Sequence, residues 1–270
     1  MKIPFIKMHG LGNDFIIFDN QKNPKIHDKN FLQKISDRRF GIGCDQVMII
    51  EDTPIPENYK IKMYNSNGLE VGACGNGTRC VADYLMERDD ISYLNIESIS
   101  GNLKCFKNDN LVTVNMGKPK FGWSDIPLSK NIDPKKVKLG DFEAFCLSMG
   151  NPHAVIFLQN LEDLESLDLI SVGPKLEKDT LFPEFANIEF ACVLENNTIR
   201  MRVWERGSGI TLACGSGACA TLIAASVLNK SPKENKIILD GGHLLINWLN
   251  DSTVTLSGDV EKVFEGTIGE

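Results

Sequence analysis

The stretch ACGSGACATLIAASVL, residues 213–228, decides the fold of this chain, because a glycine-rich turn leads there into a run of small apolar residues. Residues 218–228 are apolar on nearly every side, which predicts a helix that is buried all round. Asn229 and Pro232 end that helix. A similar stretch, ACGNGTRCVADYLMER, occupies residues 73–88, where a glycine-rich turn again precedes a helical pattern.

The two stretches belong to an internal repeat with an offset of 140 residues. IKMYN at 61–65 aligns with MRVWE at 201–205, and a cysteine follows nine residues later in each half, at Cys74 and at Cys214. A repeat of this length indicates two related domains rather than a solenoid. The boundary is expected in residues 118–139, which are rich in proline and charge and have poor periodicity.

Each half shows the same order of elements. Alternation of apolar and polar residues predicts strands before each turn and after each helix, at 60–65, 111–116, 199–205 and 253–257. Further helices are expected at 28–39, with Asp28 as the N-cap, and at 171–178. We therefore expect an α+β fold with mainly antiparallel strands around one buried helix in each half. The central position of that helix is inferred from its apolar surface.

Size and composition are those of a globular protein of one large or two smaller domains. The chain has 270 residues, of which 42% are hydrophobic and 24% charged. The net charge of −7 argues against a nucleic-acid-binding protein. Residues 208–229 are long enough to span a membrane, but their first half is small and polar. Lys7 and His9 interrupt the apolar N-terminus, so no secretory signal is expected. These features predict a cytoplasmic protein with reduced thiols and no membrane or nucleic-acid partner.

The two Cys-Gly-x-Gly turns predict a particular chemistry. A glycine turn at the start of a helix presents unpaired backbone N–H groups that can bind a carboxylate. The same donors and the helix dipole stabilise a thiolate at that place. If the two domains face each other, Cys74 and Cys214 can flank one bound carboxylic acid. One sulfur would remove the Cα proton and the other would return a proton to the opposite face, which inverts the centre.

Other roles for the cysteines have weaker support. Cys74 and Cys80 are spaced C-x5-C, which misses the usual zinc spacing, and the four histidines are scattered. The C-x-x-C motif of a thiol–disulfide enzyme is absent, and neither a P-loop nor a dinucleotide-binding fingerprint occurs. The remaining cysteines are most simply buried apolar residues. We expect no metal and no cofactor.

The motifs of this chain resemble those of the diaminopimelate epimerase family from end to end, in order and spacing. The N-terminal signature is KMHGLGNDF at 7–15, and the two cysteine turns follow at 74–80 and 213–220. Two further matches are SMGNPH at 148–153 and ERGSG at 205–209. Each motif is moderately specific, and their joint order makes coincidence a poor explanation.

The resemblance implies cofactor-independent conversion of LL-2,6-diaminopimelate to the meso isomer, in the biosynthesis of lysine and peptidoglycan precursors. Cys74 and Cys214 would be the acid/base pair, labelled donor and acceptor respectively, with roles that exchange in the reverse reaction. His153 and Glu205 would tune the thiols. The implied substrate-binding residues are Asn13, Gln46, Asn65, Gly75, Asn76, Asn151, Asn187, Glu205, Arg206, Gly215 and Ser216.

Physical chemistry agrees with these assignments. The substrate has two carboxylates and two ammonium groups, and Arg206 is suited to grip the distal carboxylate. Amide side chains can both donate to and accept from the distal zwitterionic centre. Gln46 and Asn187 are the looser matches, since Gln46 follows a variable position occupied by Cys44. Each residue also has an alternative structural role. The asparagines could form turns, and Glu205 and Arg206 could be an exposed ion pair. His153 could be a histidine of the core.

The family fold implies two pseudo-symmetric domains, each a curved sheet around a central helix. The expected domains are 1–118, completed by a returning strand at 261–270, and 119–260. A homodimer is also implied. The alternatives are another two-cysteine racemase of the same fold, such as the proline racemase type, and a non-catalytic amino-acid-binding protein. A phenazine-type isomerase of this fold is disfavoured because it lacks the paired cysteines.

Overall fold

The structure is a computed structural model that describes residues 2–19, 24–72, 74–99, 101–108 and 111–269. Ala73 of the first cysteine turn and Glu270 of the expected returning strand lie outside these residues. The chain divides into two compact units, one formed by Met1–Asn115 with Gly258–Glu270 and the other by Met116–Ser257. Within the described residues, no helix combines the length and apolar character that crossing a membrane requires.

The elements follow one another in the same order in both halves. The first half holds β1 (Lys2–Gly10), β2 (Asn13–Asp19), a 3-10 helix (Pro24–His27), α1 (Lys29–Ser36), β3 (Gln46–Asp52), β4 (Asn58–Asn65), β5 (Glu70–Val71), α2 (Gly75–Asp89), β6 (Tyr93–Ser98), β7 (Gly101–Asn108) and β8 (Leu111–Asn115). The rest holds β9 (Val137–Leu139), β10 (Phe142–Ser148), β11 (Pro152–Phe157), α3 (Leu161–Ser166), α4 (Leu169–Glu177), β12 (Asn187–Leu194), β13 (Thr198–Glu205), β14 (Gly209–Ile210), α5 (Gly215–Val227), β15 (Glu234–Leu239), β16 (Gly242–Trp248), β17 (Val254–Gly258) and β18 (Glu261–Gly269).

The first unit is built on one mainly antiparallel sheet. Its strands pair in the order β18–β1–β2–β3–β4–β6–β7–β8, with β5 added to β4. Only the joins β2/β3 and β4/β6 are parallel among these pairings. The C-terminal strand β18 pairs with β1 from Lys2 opposite Gly269 to His9 opposite Glu261, so the chain ends beside its own beginning.

The second unit repeats this topology. Its strands pair in the order β9–β10–β11–β12–β13–β15–β16–β17, with β14 added to β13. The parallel joins are again the third and the fifth in the order, β11/β12 and β13/β15, as β2/β3 and β4/β6 are in the first unit. The internal repeat seen in the sequence is therefore a repeat of strand order and of strand direction.

One helix lies at the centre of each sheet. Helix α2 contacts β1, β2, β3, β6, β7 and β8, and α5 contacts β10, β11, β12, β13, β15 and β16. A sheet that touches one helix from both of its halves must curve around it. The expected α+β fold with a central helix in each half is confirmed. Helix α5 is apolar and buried over most of its length, as its composition predicted.

A second layer covers the outer face of each sheet. In the first unit α1 packs Leu32 and Ile35 against Ile16 and Phe18. Asp28 caps α1 by accepting the N–H of Phe31, as expected. In the second unit α3 and α4 pack against the outer side chains of β12. Both faces of the central strands are thus buried, which explains their continuous apolar runs.

Candidate active site

The two cysteines occupy the same structural position in the two units. Cys74 is the N-cap of α2 and Cys214 is the N-cap of α5, both in extended backbone conformation. Each sulfur accepts the N–H of the residue three positions later, Gly77 or Gly217, at 3.4 Å in both cases. Each thiol therefore sits at the positive end of a helix, where first-turn N–H groups also face an incoming anion.

The second glycine of each turn is required by close packing. A Cβ atom on Gly217 would lie 2.8 Å from Glu189 Oε1 and 3.2 Å from Cys214 Sγ. A Cβ atom on Gly77 would overlap the Met48 methyl group. Each glycine lets a side chain of a neighbouring strand, Met48 on β3 or Glu189 on β12, pack closely against the first turn of the helix. The third position after each cysteine must therefore be glycine.

In the first unit Asn13 links the cysteine to the rest of the site. Its Oδ1 lies 3.7 Å from Cys74 Sγ, within reach of the thiol proton, and accepts from Asn76 Nδ2 at 3.3 Å. Its Nδ2 donates to Asp45 at 2.8 Å. The turn before it has positive φ at Leu11 and Gly12, which brings Asn13 to the start of β2. Asn13 and Asn76 are therefore placed beside Cys74, and their contacts with a substrate stay a prediction.

Behind Asn13 lies a charge network that the sequence analysis did not find. Asp14 accepts from Lys7 at 2.6 Å and from both terminal nitrogens of Arg38, at 2.9 and 2.7 Å. Arg38 also binds Asp45 at 2.8 Å. Burial acts to raise the pKa of Asp14, but Arg38 and Lys7 outweigh it and lower that pKa well below its usual range. Lys7 and Asp14 lie within the N-terminal motif, whereas nothing local indicated Arg38.

Gln46 and Asn65 form a second polar pair in the same unit. They face each other across β3 and β4, and Gln46 Nε2 donates to Asn65 Oδ1 at 2.8 Å. Gln46 Oε1 is buried and has no hydrogen-bond partner among the described residues, so it is available to accept from a ligand ammonium. Gln46 also lies opposite Phe15 on β2, next to the Asn13 end of that strand.

Cys44, which precedes this pair, is a buried thiol at 3% exposure. It lies 3.5 Å from the Ser36 hydroxyl. Burial raises the pKa of Cys44 to about 11. Its thiol is therefore protonated and unreactive at neutral pH.

In the second unit a hydrogen-bonded chain leads to Cys214. Glu189 Oε1 lies 2.7 Å from His153 Nδ1, and His153 Nε2 lies 2.9 Å from Asn151 Oδ1. Asn151 Nδ2 donates to Ser216 Oγ at 3.3 Å, and Ser216 Oγ lies 3.7 Å from Cys214 Sγ. Four predicted residues thus meet here, together with Glu189, which the sequence analysis missed.

Glu205 is a second carboxylate close to Cys214. Thr211 donates its hydroxyl to the Glu205 carboxylate. Burial raises the pKa of Glu205, and the Thr211 hydrogen bond offsets part of that effect. Burial also raises the pKa of Cys214 well above its usual range, and the carboxylates of Glu205 and Glu189 add to the increase. Cys214 therefore tends to keep its proton in the unliganded protein.

Asn187 and Arg206 are joined through the backbone. Asn187 is buried at 3% exposure, donates to the Pro152 carbonyl and accepts the Arg206 N–H, both at 3.0 Å. The Arg206 side chain is exposed and donates to the Glu184 carbonyl at 3.2 Å. Asn187 thus holds the turn after β13 that carries Arg206. Its direct contact with a substrate stays a prediction.

The buried Glu177 also holds this turn, a role that no sequence motif indicated. Its carboxylate accepts from Trp204 Nε1 at 2.7 Å and from the Gly207 N–H at 2.8 Å. These bonds hold the Trp204 side chain and the Gly207 backbone, one on each side of Arg206, so its guanidinium extends from an anchored turn.

The repeat places equivalent residues in equivalent positions of the two units. The matched pairs are Asn13 with Asn151, Gln46 with Asn187, Asn65 with Glu205, Cys74 with Cys214, and Asn76 with Ser216. Two other pairs differ in chemistry. His153 takes the position of Phe15, and Glu189 takes that of Met48. The second unit therefore has a buried ionisable pair where the first has two apolar side chains.

No disulfide joins any of the eight cysteines. Among the residues that the structure describes, no group of three or more His, Cys, Asp or Glu side chains could hold a metal ion.

A family model described as diaminopimelate epimerase matches residues 5–122 and 145–263 of the chain. The chain is 43% identical over 271 residues to a diaminopimelate epimerase of Rhodospirillum centenum, a match that spans 98% of this chain and 92% of the relative. It is 44% identical to the enzyme of that name from Acidiphilium cryptum, over 98% of this chain and 96% of the relative.

Solved structures share the fold at much lower identity. A putative phenazine biosynthesis PhzC/PhzF protein from Clostridium difficile superimposes with a TM-score of 0.71 at 15% identity, over 99% of this chain and 100% of its own. A hydroxyproline epimerase from Agrobacterium vitis superimposes with a TM-score of 0.69 at 12% identity, over 99% of this chain and 91% of its own. At such identities the likeness concerns the fold alone.

Proposed function

The chain belongs to the diaminopimelate epimerase family, and on that premise we propose that it interconverts LL- and meso-2,6-diaminopimelate by moving the α proton between Cys74 and Cys214. It is an isomerase of lysine and peptidoglycan precursor biosynthesis. The two thiols supply both the base and the acid, so the proposed step needs no cofactor.

The observation that carries this mechanism is the identical capping geometry of the two cysteines. Each sulfur lies at a helix N-terminus and accepts an N–H at 3.4 Å, which stabilises a thiolate. The N–H groups of the same turn are suited to a substrate carboxylate. A base, an acid and an anion cradle are what removal of a proton next to a carboxylate requires.

In the proposed step a thiolate takes the Cα proton and becomes a thiol. The electron pair of the C–H bond moves into the carboxylate as an enolate, whose charge the helix-end N–H groups stabilise. The second thiol then gives its proton to the opposite face of Cα and becomes a thiolate. Burial and two nearby carboxylates raise the pKa of Cys214, so we assign to Cys214 the role of the thiol that gives the proton.

The groups on β3, β4 and the 205–209 turn are proposed to bind the distal end of the substrate. Gln46 Oε1 offers an acceptor for an ammonium group. Arg206 extends from a turn held by Asn187 and Glu177, and its guanidinium suits a carboxylate. A site with these unpaired polar groups would reject amino acids that lack the distal centre.

The proposal is tested by proton NMR of the reduced protein with LL-2,6-diaminopimelate in D2O. We expect loss of the α-proton signal and formation of the meso isomer by the wild type. We expect neither in Cys74→Ala or Cys214→Ala, both with unchanged far-UV circular dichroism. Full activity of either variant would reject the two-thiol mechanism. Binding of the substrate by wild-type protein without deuterium exchange would favour a binding protein, and exchange of proline would favour the proline racemase type.

We also propose a homodimer, supported by the C-terminal strand. Strand β18 is exposed or half-exposed along its length, and Val263 and Phe264 are 49% and 46% exposed. Apolar side chains on an exposed strand are common at interfaces. Light scattering of the intact protein should give twice the chain mass. Val263→Asp should lower that mass, whereas the neighbouring control Lys262→Asp should not.

A cytoplasmic location without a nucleic-acid partner completes the proposal. Two catalytic thiols need a reducing compartment, and none of the eight cysteines forms a disulfide. The net charge of −7 opposes binding to a polyanion. Retarded migration of an RNA or DNA probe at physiological salt would contradict this part of the proposal.

A further inference from the structure

The first cysteine turn contains a buried arginine that the second turn lacks. Arg79 is fully buried, and the repeat aligns it with Cys219, a neutral side chain that is also fully buried. The second unit therefore builds the same turn and helix without a cation. Because burial of a guanidinium costs stability that burial of a neutral thiol does not, the fold alone gives no reason for Arg79.

The Arg79 side chain points back to the start of helix α2, as long helical side chains do. Its Nη1 donates to Asn76 Oδ1 at 3.1 Å, about one helical turn earlier. A Cβ atom on Gly10 would lie 3.0 Å from Arg79 Nη2, so the end of β1 covers the guanidinium. The positive charge is thus held beside the turn that carries Cys74.

Contacts lead from this charge to the sulfur of Cys74. Asn76 Nδ2 donates to Asn13 Oδ1 at 3.3 Å, and that oxygen lies 3.7 Å from Cys74 Sγ. Burial raises the pKa of Cys80, and the charge of Arg79 acts against that rise, so the guanidinium acts on a thiol of this part of the helix. A guanidinium keeps its proton in proteins, so its effect is permanent. A cation at this place favours a thiolate over a thiol.

The second cysteine turn has the opposite charge beside it. The carboxylates of Glu189 and Glu205 lie near Cys214 and add to the rise in its pKa that burial causes. The first unit has the neutral side chains of Met48 and Asn65 at these two positions. One thiol therefore lies beside a cation, and the other lies beside two anions.

Other polar groups around Cys74 do not reverse this difference. Its sulfur faces the acceptor Asn13 Oδ1, which favours the thiol, and the donor N–H of Gly77, which favours the thiolate. Charged side chains near α2 form pairs of opposite sign: Lys7 and Arg38 with Asp14 and Asp45, Lys107 with Asp83, and His9 with Glu261. Such pairs change the potential at the sulfur less than a single charge does, because their two contributions oppose each other.

We propose that the buried guanidinium of Arg79 stabilises negative charge at the first cysteine turn, so that Cys74 ionises before Cys214. This role rests on the proposed function, in which one sulfur must be a thiolate while the other holds a proton. Cys74 then takes the Cα proton, and Cys214 gives its own proton to the opposite face. Arg79 acts through Asn76 and through its charge, which makes it a positioning residue.

Three variants separate the charge of Arg79 from its hydrogen bond and from its packing. Arg79→Gln keeps an amide that can donate to Asn76 but removes the charge. Arg79→Lys keeps both the charge and a donor. Thr78→Ala is the matched control, since Thr78 is the fully buried neighbour and alanine is the residue that the repeat places there, at Ala218. It changes the packing of the turn and no charge.

The first measurement does not depend on activity. Alkylation of Cys74 and of Cys214 in the unliganded protein is followed by mass spectrometry as a function of pH. The midpoint of each profile is compared, and not the rate, because the two sulfurs differ in exposure. In wild type we expect a lower midpoint for Cys74 than for Cys214. Arg79→Gln should raise the Cys74 midpoint by about 1 pH unit or more, whereas Arg79→Lys and Thr78→Ala should leave it in place.

Several results would overturn the proposal. A Cys74 midpoint equal to or above that of Cys214 in wild type would do so without any variant, so the test survives if a substitution prevents folding. An unchanged Cys74 midpoint in Arg79→Gln would show that the charge does not act on the sulfur. A rise in Arg79→Lys or Thr78→Ala as large as that in Arg79→Gln would assign the effect to packing.

The second measurement connects the charge to catalysis. The acidic limb of the pH profile of kcat/KM reports the ionisation of the base in the free enzyme. We expect this limb to move to higher pH in Arg79→Gln by as much as the Cys74 midpoint does. A limb that stays in place while the midpoint moves would reject Cys74 as the base. If the cysteine variants disprove the two-thiol mechanism, the alkylation profiles still decide whether Arg79 acts on Cys74.

Discussion

Transplanting the apolar pair of the first unit into the second should show whether the buried pair His153 and Glu189 adds to the stability of the fold or lowers it. The perturbation is the double variant His153→Phe with Glu189→Met, which recreates Phe15 and Met48. The two side chains of the native pair are fully buried and 2.7 Å apart. Each single substitution therefore leaves the other side chain of the pair buried without this partner.

The magnitudes follow from what each variant leaves unpaired. His153→Phe leaves a buried carboxylate without its partner, which costs about 3–5 kcal/mol. Glu189→Met leaves an imidazole nitrogen unpaired, at about 1–3 kcal/mol. The double variant removes both groups, and apolar replacement of a buried pair is neutral or stabilising by about 1–4 kcal/mol. Asn151 loses one hydrogen bond, about 1 kcal/mol. The double variant should therefore lie between about 1 kcal/mol less stable and about 3 kcal/mol more stable than wild type.

The assay can observe the second unit alone. The chain has three tryptophans, at positions 123, 204 and 248, and all lie in Met116–Ser257. Urea unfolding followed by tryptophan fluorescence therefore reports the free energy of unfolding of that unit. The four proteins form a double-mutant cycle with an expected coupling of at least about 3 kcal/mol. A double variant less stable than both single variants would refute the reasoning, because the ion pair would then be a source of stability.

Three further outcomes are expected. Asp14→Asn should lower the free energy of unfolding at pH 7 by about 2–3 kcal/mol, less than for a fully buried pair because Arg38 is more than half exposed. Folding lowers the pKa of Asp14, so its stabilising effect is present above the pKa of the unfolded chain, near 4, and is lost as the pH falls below that value. Urea unfolding monitored by circular dichroism should therefore show a larger difference between wild type and Asp14→Asn at pH 7 than at pH 3. Glu205→Gln removes a negative charge that raises the pKa of Cys214, so alkylation of Cys214 should begin at a lower pH than in wild type. Mass spectrometry measures the alkylated fraction at each pH. An unchanged pH profile would show that Glu205 does not act on the thiol. Arg206→Met should raise KM for diaminopimelate about 10- to 100-fold, the worth of a charged hydrogen bond, and an unchanged KM would remove Arg206 from substrate binding.

The fold was predictable because its signals are local and repeated. The glycine spacing after Cys74 and Cys214 defines a turn and a helix start, and the apolar run at 218–228 defines a buried helix. The repeat then implied that both halves share one topology, which the strand order confirms. Parallel joins such as β2/β3 were not predicted, because strand direction is set by long connections and not by local pattern.

The supporting residues of the site could not be predicted in the same way. Arg38 and Asp45 support Asn13 from 25 and 32 positions along the chain, and Glu189 reaches His153 from 36 positions away. Their neighbours in sequence carry no motif, since Arg38 follows the end of a surface helix and Glu189 lies in an apolar strand. The acidic Glu189 within an apolar strand could have indicated a buried partner, because a carboxylate is rarely buried without one.

The sequence by itself determined the position of residues whose chemistry depends only on their immediate neighbours. A cysteine followed by Gly-x-Gly meets its own helix N–H groups wherever the helix packs, so the thiol position follows from a few consecutive residues. The ionisation of those thiols depends on groups that strand pairing and helix packing bring together, such as Glu205 and Glu189 beside Cys214. Electrostatic effects act through space between residues far apart in sequence, so they arise only once the chain has folded.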